Sequence, residues 1–136
     1  MRLEAKPHFV ELRVTEICPD DSPRPGDARL EVSFRVGDLG GRCVCWIDAD
    51  ERRTFAAAVE LLYTEFRGSA SLVSMSPREL SFSLSPANSR GYVYVNVSLM
   101  KQSIDASGSA SGSFELELPA LSALVRWAQS PDVEDA

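Results

Sequence analysis

The chain has 136 residues, of which 44% are hydrophobic and 25% charged, and its formal net charge is −6. A domain of this length buries roughly two-thirds of its unfolded surface, and the composition is that of a globular protein, which excludes a disordered chain. The acidic balance argues against nucleic acid and anionic membranes as partners, since both are bound chiefly through an excess of lysine and arginine. No apolar run approaches the ~20 residues that a membrane-spanning helix needs.

The N-terminal segment and the cysteines bear on cellular location. Residues 1–8 lack the uninterrupted apolar stretch of a secretion signal. The three cysteines, Cys18, Cys43 and Cys45, form an odd set. In a chain without an export signal, this favours free thiols over a disulfide framework. We therefore expect a cytoplasmic protein.

Strand patterns fill the first third of the chain. Apolar and polar residues alternate over residues 9–17 and, most clearly, over 28–36, which is the period of a half-buried strand. Residues 19–27, between them, hold three prolines, a glycine and three aspartates, a composition that predicts a mobile loop. A glycine-containing turn at 37–41 then leads into a third strand at 42–47.

The hydrophobic period changes after the third strand. Apolar side chains recur at spacings of three and four over residues 48–67, which predicts an amphipathic helix. Asp48 and Glu51 fit a capping box at its start, and Gly68 fits a left-handed stop at its end. The apolar stripe of this helix comprises Phe55, Val59, Leu62, Tyr63 and Phe66.

The second half returns to strands. They are predicted at residues 70–75, 79–85, 92–101 and 113–118. Residues 106–112, Ala-Ser-Gly-Ser-Ala-Ser-Gly, are low in complexity and are interpreted as a flexible connection within a linker at 103–112. A shorter helix is expected from Pro119 to Gln129, and the acidic tail at 130–136 should fray.

The predicted element order is β-β-β-α-β-β-β-β-α, and no internal sequence repeat is visible. Short links between the strands favour antiparallel pairing, so we predict a single α+β domain at residues 1–129 with a sheet of about seven strands. Each helix has one apolar stripe, and laying both helices on one face of the sheet buries the two stripes together. The other face would then meet solvent or a partner.

The sequence shows no catalytic or metal-binding constellation. His8 is the only histidine, so any histidine-based acid-base scheme depends on it, and an ordinary surface histidine is the better interpretation. Cys43 and Cys45 project from one side of a strand, but a structural zinc site needs four ligands. Cys18 and His8 are too far apart along a strand to complete such a site. We predict buried thiols, with no catalytic residue, no metal and no cofactor.

Three further patterns have both a chemical and a structural interpretation. Residues 108–112, Gly-Ser-Ala-Ser-Gly, resemble a nucleophile elbow, but the central residue is alanine, so a linker is favoured. Glu115 and Glu117 share a strand face at a separation that carboxylate-pair glycosidases also use, although alternating glutamate and leucine is typical of any amphipathic strand. Asp48 and Asp50 fit the aspartate pair of metal-dependent sugar transferases, yet helix capping already accounts for Asp48.

An open sheet face is the better candidate for function. Tyr92, Tyr94 and Asn96 lie on the polar row of their strand. Tyrosines on such a face offer a large contact area at small entropic cost, and the alternative is a face that merely tolerates them. Together with Glu115 and Glu117 of the next strand, they are the predicted partner-binding residues.

Several short segments carry a family resemblance. They are Cys45-Trp46-Ile47 entering the helix with Phe55 and Leu62, Gly68-Ser69-Ala70-Ser71-Leu72, Glu79-Leu80-Ser81-Phe82, Gly91-Tyr92-Val93-Tyr94-Val95, and Gly112-Ser113-Phe114-Glu115-Leu116 with Trp127. Over roughly residues 28–129 the chain thereby resembles the WapI-type immunity proteins, small bacterial antidotes to toxin domains. The resemblance implies stoichiometric binding and blockade of a cognate toxin without any chemistry, and it assigns no functional residue.

The sequence thus favours a non-catalytic binding protein over an enzyme. An acidic surface suits a basic toxin, because charge complementarity speeds association and rejects wrong partners. Two alternatives stay open: a small ligand-binding domain or enzyme with an unrecognised pocket, and a self-associating structural module that would form a homodimer.

Overall fold

The structure, a computed structural model, describes residues 1–76, 78–88, 90–130 and 132–134. These residues form eight strands, two α-helices and a short 3-10 helix. In chain order they are β1 (Arg2–Ala5), β2 (His8–Ile17), β3 (Ala28–Val36), β4 (Leu39–Ile47), α1 (Ala49–Glu65), β5 (Ala70–Val73), β6 (Leu80–Pro86), β7 (Tyr92–Gln102), β8 (Ser107–Glu117), the 3-10 helix (Leu118–Leu121) and α2 (Ser122–Gln129).

The strands form two antiparallel four-stranded sheets, β1-β2-β3-β4 and β5-β6-β7-β8. The predicted α+β class is confirmed, but the prediction of one sheet of about seven strands is wrong. Helix α1 ends the first meander and separates it from the second, and each meander has one apolar face that the other can bury. Each half of the chain is therefore four strands followed by a helix, a structural repeat that the sequence does not reveal.

The two sheets pack face to face with crossing strands. Strand β8 runs across the first sheet: it meets β4 where Ala110 lies against Gly41, and it meets β3 at Gly112. Farther along, Phe114 stacks on His8 of β2, with ring centroids 6.0 Å apart. One strand that contacts β4, β3 and β2 in turn must cross them, as in orthogonally packed sheets.

The core lies between the sheets. The alternating apolar rows predicted for the strands are largely buried, as are Phe55, Val59 and Leu62 of the α1 stripe, whereas Tyr63 and Phe66 at its end are half-buried. The largest fully buried side chains are Phe55, Phe82, Leu3, Leu12, Leu30, Ile47, Leu62, Leu72, Leu80, Leu84, Leu121 and Leu124.

Helix α1 confirms the helix predicted at 48–67 to within two residues at each end. Asp48 caps it, since its Oδ1 accepts hydrogen bonds from the amides of Asp50 at 2.7 Å and Glu51 at 3.4 Å. Phe66, at φ 51°, ends it in a left-handed conformation. The helices do not lie on one face of a single sheet as predicted. They pack on each other, with α1 against β5 and α2 against β1, and so close one side of the sandwich.

The prediction of a linker at residues 103–112 is wrong for most of this segment. Only the turn at its start is outside a strand, and the rest is β8, which pairs with β7 along its whole length. Gly108, Ala110 and Gly112 share the side that faces the first sheet. A Cβ on Gly112 would lie 2.7 Å from Cγ2 of Val36. Position 112 therefore requires glycine, because the two sheets approach closely there.

The predicted mobile loop at 19–27 is fixed at its base. The Cys18 amide donates to the Asp27 carbonyl at 2.8 Å, and the Gly26 amide donates to the Cys18 carbonyl at 3.0 Å. The buried Asp27 carboxylate accepts a hydrogen bond from the Ala49 amide at 3.0 Å, and the Arg52 guanidinium donates to the Gly26 carbonyl. These contacts attach the end of the loop to the first turn of α1.

Asp27→Ala is expected to lower the free energy of unfolding by about 1–3 kcal/mol, because the amide of Ala49 loses its buried acceptor. Asp27→Asn keeps a side-chain oxygen in place and should cost less. Urea denaturation of the two variants beside the wild type measures both effects. Equal losses in the two variants would show that this hydrogen bond is not the source of the stability.

Part of the acidic tail predicted to fray at 130–136 is bound. The Glu134 amide donates to the Val14 carbonyl at 2.8 Å. Its Oε2 accepts from the Val14 amide at 3.0 Å, and its Oε1 lies 3.1 Å from the Met1 ammonium. This residue therefore continues the edge of the first sheet beyond β1. Pro131, Asp135 and Ala136 of the tail, and Pro77 and Ser89 of two predicted turns, lie outside the described residues.

Candidate functional site

The outer face of the second sheet is polar across three strands. Every second residue of β6, β7 and β8 points away from the core, because side chains alternate along a strand. We call this surface the serine face. Its residues are Ser81, Ser83, Ser85, Tyr92, Tyr94, Asn96, Ser98, Ser109, Ser111, Ser113, Glu115 and Glu117, all exposed or half-buried.

The structure brings all five predicted partner-binding residues together on the serine face. Tyr92 is opposite Glu117, and Tyr94 is opposite Glu115. Directly opposed residues have Cβ atoms about 4.5–5.5 Å apart, so each tyrosine adjoins a carboxylate. Asn96 follows on the same row, half-buried, while Tyr94 is 39% exposed.

Hydroxyl groups extend this surface beyond the predicted residues. One cross-strand row is Ser81, Ser98 and Ser111, and the next is Ser83, Asn96 and Ser113. These rows line an open depression of about 440 Å³. Each hydroxyl both donates and accepts hydrogen bonds. The serines of β8 were not among the predicted site residues because most of that segment has the composition of a linker, although serine stands at every second position from 107 to 113.

The serine face has hydrogen-bonding groups, and none of its serines is hydrogen-bonded to a histidine in the described part of the chain. A serine nucleophile needs an adjacent general base. The only histidine of the chain, His8, lies on β2 in the other sheet, but it borders one end of the serine face, where it lines an open pocket of about 470 Å³ with Tyr92, Glu115 and Glu117. Its Nδ1 accepts from the Gly37 amide at 3.0 Å, and its ring stacks on Phe114. These two contacts hold His8 in place, and the hydroxyl, amide and carboxylate groups of the serine face are suited to binding.

The carboxylates of the serine face have no cationic partner. Neither Glu115 nor Glu117 forms an ion pair with any residue in the described part of the chain. Both are exposed, so the face presents two uncompensated negative charges beside its tyrosines.

The outer face of the first sheet differs, because its carboxylates Glu4, Glu11 and Glu31 each form an ion pair with an arginine. Glu31 accepts a hydrogen bond from Arg13 and lies 3.5 Å from the Arg42 guanidinium. The hydrogen bond from Arg13 holds the pKa of Glu31 below its usual 4.5, and the charges of Arg13, Arg42 and Arg29 add to this effect. Arg2 lies 3.1 Å from the Glu4 carboxylate. An incoming charged partner would have to compete with these contacts.

The three cysteines are free thiols. Cys45 is buried between the sheets, Cys43 is half-buried two residues earlier on β4, and Cys18 follows the end of β2. Among the described residues, no group of three or more histidine, cysteine, aspartate or glutamate side chains is placed to hold a metal ion.

Two other sequence candidates have structural roles. Asp48 caps α1, and Asp50 forms an ion pair with Arg53 one turn along the same helix. The segment at 108–112 lies within β8 and makes no sharp turn of the kind a nucleophile elbow requires.

A small, partly open and mainly apolar cavity of about 10 Å³ lies beneath α1. It is lined in part by Arg52 and Trp127. The Nε of Arg52 and the Nε1 of Trp127 are buried and have no hydrogen-bond acceptor among the described residues. This volume is about that of one solvent-sized sphere, so no organic ligand fits there.

Comparisons with known proteins do not identify this chain. No protein-family model, no curated protein and no solved structure matches it. No helix in the described residues is both long enough and apolar enough to cross a lipid bilayer.

Proposed function

We propose that this protein is a non-catalytic binding protein that docks a protein partner on its serine face. The observation that carries the proposal is the pairing of Tyr92 and Tyr94 with Glu117 and Glu115 on an exposed sheet face. Tyrosine is enriched at protein interfaces because its ring buries apolar area while its hydroxyl keeps a hydrogen bond.

The charge distribution favours a basic partner. The chain has a net charge of −6, and the carboxylates of Glu115 and Glu117 form no ion pair within the described residues. Uncompensated charge on an interface speeds association with a partner of opposite sign and disfavours other partners. On the outer face of the first sheet, the carboxylates Glu4, Glu11 and Glu31 are instead paired with arginines.

We further propose that the partner is a toxin domain and that binding blocks its activity, as in the WapI-type immunity proteins that the chain resembles. The resemblance and the acidic surface support this assignment. A cytoplasmic location is part of the proposal, and the three free thiols support it because a reducing compartment keeps cysteines unpaired.

The test is the affinity for a toxin domain, sought first among the products of the adjacent genes, measured by calorimetry with the purified proteins. We expect a 1:1 complex that weakens as the salt concentration rises. Tyr92→Ala combined with Tyr94→Ala should weaken it by about 100-fold, since two interface tyrosines at roughly 1–2 kcal/mol each correspond to about two decades in Kd. Unchanged affinity in this double variant would remove the serine face from the proposal.

Two variants that remove the same number of charges separate the effect of the serine-face carboxylates on binding from the effect of the net charge of the protein. Glu115→Gln with Glu117→Gln, and Asp20→Asn with Asp21→Asn, each remove two exposed negative charges. Only the first pair should slow association and reduce its salt dependence substantially. Equal effects would assign the electrostatic attraction to the whole molecule, and no binding to any toxin domain would overturn the immunity assignment.

A further inference from the structure

A pocket of about 210 Å³ opens where β4 crosses the end of the β7–β8 hairpin. Cys43 is on its wall, together with Lys101 of β7 and the small residues Gly41, Gly108 and Ala110. The small side chains leave open space beside the half-buried thiol. A small solute can therefore reach Cys43, whereas Cys45, only 2% exposed, lies behind it.

The two thiols of β4 act on each other. They are two residues apart on one strand, so both side chains face the second sheet. The Cys43 thiol donates a hydrogen bond to the Glu79 carbonyl at 3.8 Å. Interaction with the Cys45 thiol lowers the pKa of Cys43, burial and the charge of Glu79 oppose this shift, and the charge of Lys101 supports it. Interaction with the Cys43 side chain, together with burial, raises the pKa of the Cys45 thiol. Cys43 therefore ionises first, and the thiolate is the reactive form of cysteine.

We propose that Cys43 is a site of oxidation by peroxides and that Cys45 is its resolving thiol. The Cys43 thiolate attacks one peroxide oxygen, the O–O bond breaks, and the leaving hydroxide takes up a proton to become water. The sulfenic acid at Cys43 is then attacked by the sulfur of Cys45, which forms the S–S bond and releases a second water. The two thiols lose two electrons and the peroxide gains them.

The strand geometry makes the resulting bridge reversible. Residues two apart on an extended strand have Cα atoms about 6.7 Å apart, near the upper limit of roughly 6.8 Å for a disulfide, and their Cβ atoms are similarly spaced, so the strand must bend to bring the Cβ atoms to the ~3.8 Å that the bridge needs. Strand β4 is an edge strand that pairs only with β3, so it can adjust locally. A bridge formed under such strain is easily reduced, which is the property of regulatory disulfides.

The experiment treats the reduced full-length protein with hydrogen peroxide and digests it with trypsin. Cleavage after Arg42 and Arg52 releases residues 43–52, which contain Cys43 and Cys45 but not Cys18. We expect this peptide to lose about 2 Da on oxidation and to regain it with dithiothreitol. The matched control, Cys18→Ser, should behave as the wild type.

Variants of Cys43 and Cys45 show which thiol is oxidised first and which one resolves the sulfenic acid. Cys45→Ser should accumulate a sulfenic acid at Cys43 that dimedone labels, and Cys43→Ser should leave residues 43–52 unchanged. An unchanged wild-type peptide under conditions that oxidise Cys18 would overturn the proposal, and this measurement needs no variant to fold. The inference does not depend on the proposed partner.

Discussion

Gly112→Val is expected to lower the free energy of unfolding by about 3 kcal/mol, at the upper end of the usual cost of overpacking a core. A Cβ at this position would lie 2.7 Å from Cγ2 of Val36 and 3.0 Å from Cε2 of Phe34. Phe34 is almost fully buried, and a valine side chain is stiff about its first torsion. The sheets would therefore have to separate locally to admit the new side chain.

Gly108→Val is the matched control, since Gly108 is on the same strand and the same side of it but has nothing within 4 Å of the added Cβ. It should change the free energy of unfolding by less than about 0.5 kcal/mol. Urea denaturation of both variants measures the difference. If residues 106–112 were a flexible linker, both variants would be nearly neutral, and that result would contradict the strand.

A second set of variants tests whether Val36 is the side chain that a residue larger than glycine at position 112 would contact too closely. Gly112→Ala should be destabilising alone and much less so in combination with Val36→Ala, which removes the nearest methyl groups. A double-mutant cycle over these positions reports their coupling free energy. A coupling of zero would show that the cost arises elsewhere than in the contact between β3 and β8.

The same segment shows why β8 could not be predicted from composition. Serine, glycine and alanine are poor strand formers by propensity and common in linkers. Their order from 107 to 113 nevertheless alternates strictly, with serine on one side and glycine or alanine on the other. The advantage of small residues on the inner side depends on a second sheet at close range, which local sequence does not specify.

The number of sheets could not be predicted from the sequence for a related reason. Alternation in the segments at 9–17 and 28–36 predicted correctly which face of each strand is buried. It did not specify what covers that face, and either a helix or another sheet satisfies the pattern. Strand β1 has four residues with only Leu3 buried, too short a pattern to distinguish from a loop.

The candidate site was partly predictable. The positions of Tyr92, Tyr94 and Asn96 on one row follow from the two-residue period of a single strand. Their pairing with Glu117, Glu115 and Ser113 depends on the register between β7 and β8. Because the start of β8 was interpreted as a linker, the register and the hydroxyl rows could not be derived.

Phe82→Ala is expected to lower the free energy of unfolding by about 3–5 kcal/mol, the usual cost of deleting a buried aromatic ring. Phe82 of β6 is fully buried and packs against Phe55 of α1, with ring centroids 5.9 Å apart and ring planes at 52°. The contact joins the helix that closes the sandwich to the second sheet, so its loss leaves a cavity bounded by both. Leu61→Ala on the exposed side of α1, where Leu61 is 38% exposed, is the control and should cost much less.

Leucine substitutions measure the ring contact without unfolding the protein. In a double-mutant cycle with Phe55→Leu and Phe82→Leu, we expect a coupling of about 0.5–1.5 kcal/mol from the aromatic pair. Strictly additive losses would mean that each ring is held by other neighbours. Phe82 lies between Ser81 and Ser83 of the serine face but points to the opposite side of the sheet, so Phe82→Leu should keep the wild-type affinity for the partner wherever the variant is folded. A loss of affinity in Phe82→Leu that parallels its loss of stability would mean that the serine face binds only when the core behind it is intact.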